Sequence, residues 1–350
     1  MNPPLPDIAG PLVAWQRRHG RHALPWQGTR DPYRVWLSEI MLQQTQVSTV
    51  LGYFERFLKR FPDVAALAAA PQDDVLTLWA GLGYYSRARN LHRCAQQVVA
   101  QHGGAFPRSA QALQALPGIG RSTAAAIAAF CWDERVPILD GNVKRVLTRV
   151  LAFDGDLAET RHERALWAQA QDLLPLPAQD MPAYTQGLMD LGATLCSQRQ
   201  PRCTDCPLQA HCRARAEDRT AEFPRKTRKL KRSRVALTWL WLRRADGAHW
   251  LLPRPARGVW AGLWSLPECA NVAEAQAAVQ GWQGTATPGE TFTHVLTHRD
   301  LVITPWQFRF SGEAPSAEQL QHRWPGGRWL APAELDAVGL PAPLTRLLRR

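Results

Sequence analysis

Leu116-Pro117-Gly118-Ile119-Gly120-Arg121-Ser122-Thr123 is the stretch whose reading decides the fold. Helical patterns lie on both sides of it, over Ala110–Leu116 and Ser122–Phe130. One proline and two glycines within five residues force a tight turn between them. Glycine lets backbone N–H groups approach a ligand closely. The N–H groups of Gly118 and Gly120 also precede a helix, where the dipole favours an anion such as a duplex phosphate. A plain helix–helix turn has the same local signature, so the neighbours must decide. Twenty residues past Gly120 stands Asp140, within Ile138-Leu139-Asp140-Gly141-Asn142-Val143-Lys144-Arg145. Asp140 stands where an apolar approach gives way to a helix. It can be a simple N-cap, or a carboxylate facing developing positive charge in a cleft.

Outward from this hairpin, residues 1–222 read as nearly all α. Asp31-Pro32 starts a helix, with Asp as N-cap and Pro at the first helical position. Val35, Trp36, Leu37, Ile40 and Met41 then recur at helical spacing. Further helices are predicted at Val64–Ala70, Asp73–Gly81, Arg87–Ala100, Gly141–Leu151 and Glu163–Leu173, with Gly or Pro at most junctions. Residues 223–234 form a basic linker, in which Arg225, Lys226, Arg228, Lys229, Lys231, Arg232 and Arg234 occur with no acid. Such a run is a solvated connector or a strap tracking phosphates. Residues 235–350 turn β-like, with strands predicted at Val235–Leu242, His249–Leu252 and Leu301–Phe310. Short helices fit Val272–Val279, Pro332–Ala337 and Pro343–Arg349. The second domain is therefore α+β.

Four of the seven cysteines crowd into seventeen residues, spaced Cys196-x6-Cys203-x2-Cys206-x5-Cys212. A disulfide framework would spread them along the chain. Four thiolates suit either tetrahedral zinc or a [4Fe–4S] cube. Only one pair is close, and the wider gaps suit the larger cluster. Cys94, Cys131 and Cys269 are scattered and read as packing residues. The net charge of +12 points to a polyanionic partner. No stretch approaches 18 uncharged apolar residues, and no apolar secretory core opens the chain. A cytoplasmic, nucleoid-associated protein with no membrane partner is expected.

Leu116–Thr123, the Gly-Asn-Val-Lys-Arg after Asp140 and the four-cysteine loop together resemble the helix-hairpin-helix DNA glycosylases with an iron–sulfur cluster, the relatives of endonuclease III. Within them, Trp36-Leu37-Ser38-Glu39-Ile40-Met41-Leu42-Gln43-Gln44-Thr45-Gln46-Val47 resembles the adenine DNA glycosylases of the MutY type. So do Gly81-Leu82-Gly83-Tyr84-Tyr85-Ser86-Arg87-Ala88-Arg89-Asn90-Leu91 and Met189-Asp190-Leu191-Gly192-Ala193. The resemblance spans about Trp15 to Cys212 and continues more loosely to the C-terminus. It implies a monomer acting on double-stranded DNA that carries adenine opposite 8-oxoguanine or guanine, and a 4Fe–4S cluster on Cys196, Cys203, Cys206 and Cys212. The cluster would organise a loop, with Arg199, Arg202 and Arg213 nearby, against phosphates.

Release of adenine needs a protonated base and a stabilised oxocarbenium-like sugar, hence one carboxylic acid and one carboxylate. By the resemblance, Glu39 is the acid, Asp140 stabilises the sugar cation or forms a covalent intermediate with it, and Asn142 orients both. Burial within an otherwise apolar helix would raise the Glu39 pKa and keep it protonated. Read from the helix alone, Glu39 is better taken as an exposed glutamate paired to a neighbour. The base must be flipped out of the duplex. The resemblance puts Gln43, Gln44 and Thr45 in the minor groove and Tyr84 beside the opposite base. It puts Trp26, Leu42 and Gln186 around the adenine; core packing is the other reading of Trp26 and Leu42. Ser122 stands where bifunctional relatives carry a Schiff-base lysine and some adenine glycosylases a tyrosine, which implies a monofunctional enzyme with little or no strand cleavage.

Residues from about 233 resemble the Nudix-like C-terminal domain of MutY proteins, through Arg257-Gly258-Val259-Trp260-Ala261-Gly262-Leu263-Trp264-Ser265-Leu266-Pro267-Glu268. Gln276, Ala277, Gln280 and Gly281 stand where a working Nudix box carries its metal-binding carboxylates. The domain is expected to recognise a damaged base. Thr297 and His298 match the loop that contacts 8-oxoguanine, with Leu296 replacing its aromatic residue; a polar β-turn without a ligand is the bland reading. The rivals are an endonuclease III-like glycosylase/lyase, a Nudix pyrophosphohydrolase with a DNA-binding appendage, and a non-catalytic DNA-binding protein.

Overall fold

The computed structural model describes residues 4–227 and 232–349. Arg228, Lys229 and Lys231 of the basic linker lie outside the described residues. The chain divides into two compact units: residues 1–68 with 93–229, and residues 69–92 with 230–350.

The first unit is helical. Its helices are α1 (Ala9–His19), α2 (Pro32–Leu42), α3 (Val47–Arg60) and most of α4 (Val64–Ala69). After α5 (Gln72–Trp79), which belongs to the second unit, come α6 (Ser86–His102, shared by both), α7 (Ala110–Leu113), α8 (Arg121–Trp132), α9 (Gly141–Leu151), α10 (Thr160–Asp172), α11 (Met181–Thr194) and α12 (Arg213–Ala216). Asp31 caps α2 as expected, its side chain accepting from Tyr33 N at 2.9 Å. α7 ends at Leu113, three residues before the predicted end, because Pro117 and Gly118 already shape the turn. Gly118 has φ +77° and Leu116 O accepts from Ile119 N at 3.2 Å. Gly120 is the N-cap of α8 and offers its first N–H groups no side-chain acceptor. One core joins α1, α8, α9, α10 and α11 through Leu12, Ala126, Val146, Leu166 and Leu188.

In this unit α1, α3, α11 and the short α12 were not predicted, nor was the helix Ala317–Arg323 of the second unit. α3 buries Val50, Phe54 and Phe57, an i, i+4, i+7 stripe. α11 buries nearly its whole length, with Met181, Tyr184, Leu188 and Leu191 in the core. Two glycines allow that depth. A Cβ at Gly187 would lie 3.1 Å from Leu12 Cγ on α1, and one at Gly192 would lie 2.7 Å from Asn142 Cβ on α9. The second contact presses α11 against the turn that carries Asp140.

In the second unit, the strands are β1 (Ser233–Arg243), β2 (His249–Pro253), β3 (Trp264–Ser265), β4 (Glu268–Cys269), β5 (Gly284–Pro288), β6 (Phe292–Val295), β7 (Arg299–Phe310) and β8 (Arg328–Leu330), with α13 (Val272–Ala278), α14 (Ala317–Arg323) and α15 (Ala342–Leu348). β1 and β7 pair in parallel from Ser233↔Arg299 to Arg243↔Arg309, and the sheet order is β3-β2-β1-β7-β5. Leu240, Leu242, Trp306, Phe308 and Phe310 face the α13 side. Glu274, the acid on α13, accepts from Ala270 N at 2.6 Å and so closes the start of its own helix. α5 and the start of α6 pack in this unit. Arg89 Nη1 donates to Ala261 O at 2.6 Å, and a Cβ on Gly262 would come within 3.3 Å of Leu76.

Cys94, Cys131 and Cys269 are buried, in keeping with packing roles. Among the described residues no helix is long and apolar enough to cross a membrane.

Candidate active site and cysteine loop

A cleft of about 880 Å³ opens in the helical unit. α2, α9, α11 and the loop before α2 build its walls. Trp26, Glu39, Leu42, Thr45, Asp140, Asn142 and Gln186 all line it. Seven side chains predicted from scattered stretches are thus brought to one place. Gln43 and Gln44 are not among its lining residues. Gln43 Nε2 donates to Thr123 Oγ1 on the hairpin helix at 3.1 Å, while Gln44 is exposed with φ +58°.

Glu39 projects from α2 between neighbours that are almost wholly buried, Trp36, Leu37, Ile40 and Met41. Burial, and then the negative charge of Asp140, push its carboxyl up to about 8. Asp140 is both N-cap and cleft residue. Its Oδ1 accepts from Val143 N at 2.7 Å. Burial raises its pKa as well, but the N–H groups of Val143 and Asn142 and the charges of Arg145 and Lys144 oppose the rise. The two carboxyls therefore share a site with unlike support: backbone donors and cations favour the ionised form of Asp140 only.

Trp26 is buried edge-on against Phe54, ring centres 5.3 Å apart, and still contributes to the cleft wall. Core packing and pocket lining are both true of it. Ser122 accepts from Leu139 N at 3.3 Å, so its hydroxyl steadies the chain immediately before Asp140.

Two residues missed in the sequence support the wall, Asp190 from behind it and Arg21 within it. Asp190 on α11 is fully buried and accepts from Arg21 N at 2.9 Å, Arg21 Nε at 2.6 Å and Gln186 Nε2 at 2.8 Å. The signal was present, since a carboxylate within the apolar run Leu188–Ala193 must find partners when buried. Its partner Arg21 lies 169 positions away, where no local pattern points.

The four cysteines line one small apolar cavity with Val146, Val150, Leu191 and Leu208. Among the described residues no group of three or more Cys, His, Asp or Glu converges as for a single metal ion. Burial, reinforced by the neighbouring thiols, pushes the Cys206 thiol up to about 12 and raises that of Cys212. Arg149, itself buried, ties the loop to α9: Nε donates to Thr220 O at 2.9 Å, Nη1 to Ser197 O at 2.7 Å and to Cys196 Sγ at 3.3 Å. Arg145 spans from Cys196 O, 2.8 Å from its Nε, to Asn142 Oδ1, 2.9 Å from its Nη2. Of the arginines expected near this loop, Arg202 lies 3.9 Å from Asp205 and Arg213 donates to Pro4 O.

In the second unit, the Tyr84 hydroxyl and Thr297 Oγ1 are 2.5 Å apart. Tyr84 is 44% exposed and has φ +48°, a left-handed conformation that costs energy for a residue with a Cβ. Arg87 holds the loop, donating from Nη2 to Leu82 O and Gly83 O, both at 3.2 Å, with its guanidinium 5.5 Å from the Tyr84 ring centre. Thr297 sits on the turn between β6 and β7, closed by Leu296 N donating to Arg299 O at 2.8 Å. His298 is exposed beside it.

Residues 37–171 match the family described as HhH-GPD superfamily base excision DNA repair protein. Residues 238–350 match the NUDIX domain. An adenine DNA glycosylase of Buchnera aphidicola (subsp. Acyrthosiphon pisum) is 34% identical over 340 residues, covering 96% of this chain and 95% of the relative. The chain belongs to the MutY-type family of adenine DNA glycosylases. The human family member is also 34% identical, over 97% of this chain and 73% of its own length. Among solved structures, a thermostable thymine-DNA glycosylase matches 60% of this chain with TM-score 0.52 and 26% identity. A trapped endonuclease III–DNA covalent intermediate, at 19% identity and TM-score 0.50, shares the fold. Family membership fits the mixed architecture, a helix-hairpin-helix unit followed by a Nudix-like sheet.

Proposed function

We propose that this protein removes adenine from duplex DNA where adenine lies opposite 8-oxoguanine or guanine, and that it does so without a lyase step. The observation that carries the reading is the pairing of Glu39, its carboxyl pushed up to about 8, with Asp140 in one cleft. A flipped adenine in that cleft meets a protonated Glu39, which donates to a ring nitrogen as the glycosidic bond lengthens. Asp140 faces the sugar as positive charge grows on it, and Asn142 lines the same wall. Glu39, left as carboxylate, then takes a proton from the attacking water. Ser122 supplies no amine for an imine, and its hydroxyl is engaged with Leu139 N.

Tyr84 and Thr297 form the lesion reader, with His298 beside them. Their hydroxyls lie 2.5 Å apart, which supports a common surface for the base opposite adenine. Gly118, Gly120 and the uncapped start of α8 hold a phosphate.

Cys196, Cys203, Cys206 and Cys212 fit a [4Fe–4S] cluster. The four cysteines line one cavity, and Arg149 Nη1 lies 3.3 Å from Cys196 Sγ. Such a cluster would supply a rigid cross-link for the loop. Proton transfer and cation stabilisation remain with Glu39 and Asp140.

The deciding experiment is a single-turnover assay on defined duplexes. Adenine should be released from adenine·8-oxoguanine, and more slowly from adenine·guanine, leaving an intact abasic strand. Activity confined to oxidised pyrimidines, or strand scission concurrent with base release, would overturn the reading.

A further inference from the structure

Thr297 and His298 form the tip of the hairpin between β6 and β7, whose last paired residues are Val295 and Asp300. Such a tip commonly closes with the carbonyl of its first residue accepting from the N–H of its fourth. Here the backbone bond across the tip runs the other way, from Leu296 N to Arg299 O at 2.8 Å. Leu296 O accepts instead from a side chain far back in the sequence, Arg232 Nη2 at 3.2 Å. The same nitrogen carries a second N–H and donates it to Asp300 Oδ1. One guanidinium thus spans the neck of the hairpin, from the carbonyl before Thr297 to the carboxylate that follows Arg299. The next residue of the connector holds the other limb. Ser233 N donates to His298 O at 3.2 Å, and Ser233 Oγ accepts from Arg299 Nε at 3.3 Å. The carbonyls of Leu296 and His298, on either side of Thr297, are therefore both held by the residues that lead into β1. A basic run suggests a strap on phosphates. The charge of Arg232 is already set against Asp300.

We infer that Arg232 is a positioning residue: it clips the neck of the β6–β7 hairpin and so fixes where the Thr297 hydroxyl and the His298 ring stand. The inference rests on the lesion-reading role proposed above and names the group that sets it. 8-Oxoguanine differs from guanine by an oxygen on C8 and by an N–H where guanine has a bare N7. Only donors and acceptors held in place tell these atoms apart, because a mobile hydroxyl or imidazole turns to suit either. Ordering a loose tip at the moment of binding also costs free energy that a preformed tip does not. Tyr84 depends on the same clip. Its hydroxyl lies 2.5 Å from Thr297 Oγ1, a contact that a shifted tip would part.

The test uses the full-length protein and two readouts. One is amide exchange at Leu296, whose N–H closes the tip. The other is the ratio of single-turnover adenine release opposite 8-oxoguanine to that opposite guanine. Arg232→Ala should speed the exchange and lower the ratio roughly tenfold, the loss expected for a charge-assisted hydrogen bond. Asp300→Ala should do the same, although it leaves the arginine in place. Arg232→Lys keeps a donor and a charge, and should recover part of both readouts. A phosphate contact behaves differently. Asp300→Ala would then release Arg232 to DNA and leave the ratio intact, and Arg232→Ala would lower the salt slope of duplex binding by about one contact. That pattern would overturn the inference. So would unchanged exchange at Leu296, or faster exchange with an unchanged ratio. If wild type itself shows no preference for 8-oxoguanine, the lesion-reading role falls and this inference with it; a wild-type preference that the variants keep sinks this inference alone.

Discussion

Glu39 owes its elevated pKa first to burial and second to the charge of Asp140, and both causes act on the same proton. If it is the general acid proposed above it must be protonated, so the excision rate should fall as pH rises through about 8. On the acid side, the rate should fall once Asp140 gains a proton, at a pH above the ordinary aspartate range because burial raises it. A bell-shaped profile in single-turnover assays follows, and its two limbs belong to the coupled pair. Glu39→Gln should bind the mispaired duplex normally and lose base release by at least ~100-fold. The same substitution should alter stability in a pH-dependent way. The folded pKa lies above the unfolded one, so the stability contributed by protonated Glu39 is full below the ordinary glutamate range. It is lost as pH climbs through about 8. Glutamine has no proton to lose, so thermal melting of Glu39→Gln should exceed wild type at alkaline pH and converge with it in acid. At this scale the sequence was informative where chemistry is local. Glu39 among apolar neighbours and Asp140 before a helix are visible as oddities in the chain. The Asp190–Arg21 pair is not, because its meaning depends on a contact across 169 positions.

At the scale of elements, α11 does the most and was read the least. It carries Gln186 and Asp190, seats Gly192 against Asn142, and runs directly into Cys196. Its burial on nearly all faces erases the amphipathic stripe by which helices are recognised. α9, with one core face and a clear cap, agrees with its predicted bounds residue for residue. The short strands β3, β4 and β8 escaped because two or three residues cannot display alternation, and β5 because Gly-Thr-Ala-Thr-Pro is exposed throughout. The cysteine loop gives a direct test at this scale. Protein as purified should contain about four irons per chain by metal analysis. Removing the iron should loosen residues 196–212, seen as faster amide exchange there, and weaken duplex binding. Arg149, buried and bonded to the Ser197 and Gln198 carbonyls of the loop and to Thr220 O beyond it, would be left as a tether. Stoichiometric zinc in place of iron, or unchanged exchange after removal, would contradict the assignment.

For the whole molecule, the net charge of +12 sets the long-range behaviour. Arginines and lysines that meet phosphates release counterions, so log affinity should fall linearly with log salt at a slope of about −0.9 per phosphate contact. Titration of non-specific duplex over a range of salt measures it, and a flat response would mean that the positive surface is not used on DNA. Composition made the polyanionic partner readable. What composition and local pattern could not show is the way the chain is apportioned. Residues 69–92 follow a helical run and precede another, so nothing nearby announces that they pack with a sheet formed by the last third of the sequence.

That apportioning has a consequence for synthesis. The Leu76 side chain finds its neighbour at Gly262, and Arg89 its acceptor at Ala261, both encoded long after α5 and α6. A nascent chain leaving the ribosome holds these contacts open until the C-terminal strands emerge. Tyr84, on the same segment, joins Thr297 only then. A truncated product ending before residue 230 would keep Glu39 and Asp140 and still carry an unclosed apolar helix, marking it for chaperones and proteases. The Tyr84–Thr297 contact thus forms only once residues far along the C-terminal third have been made.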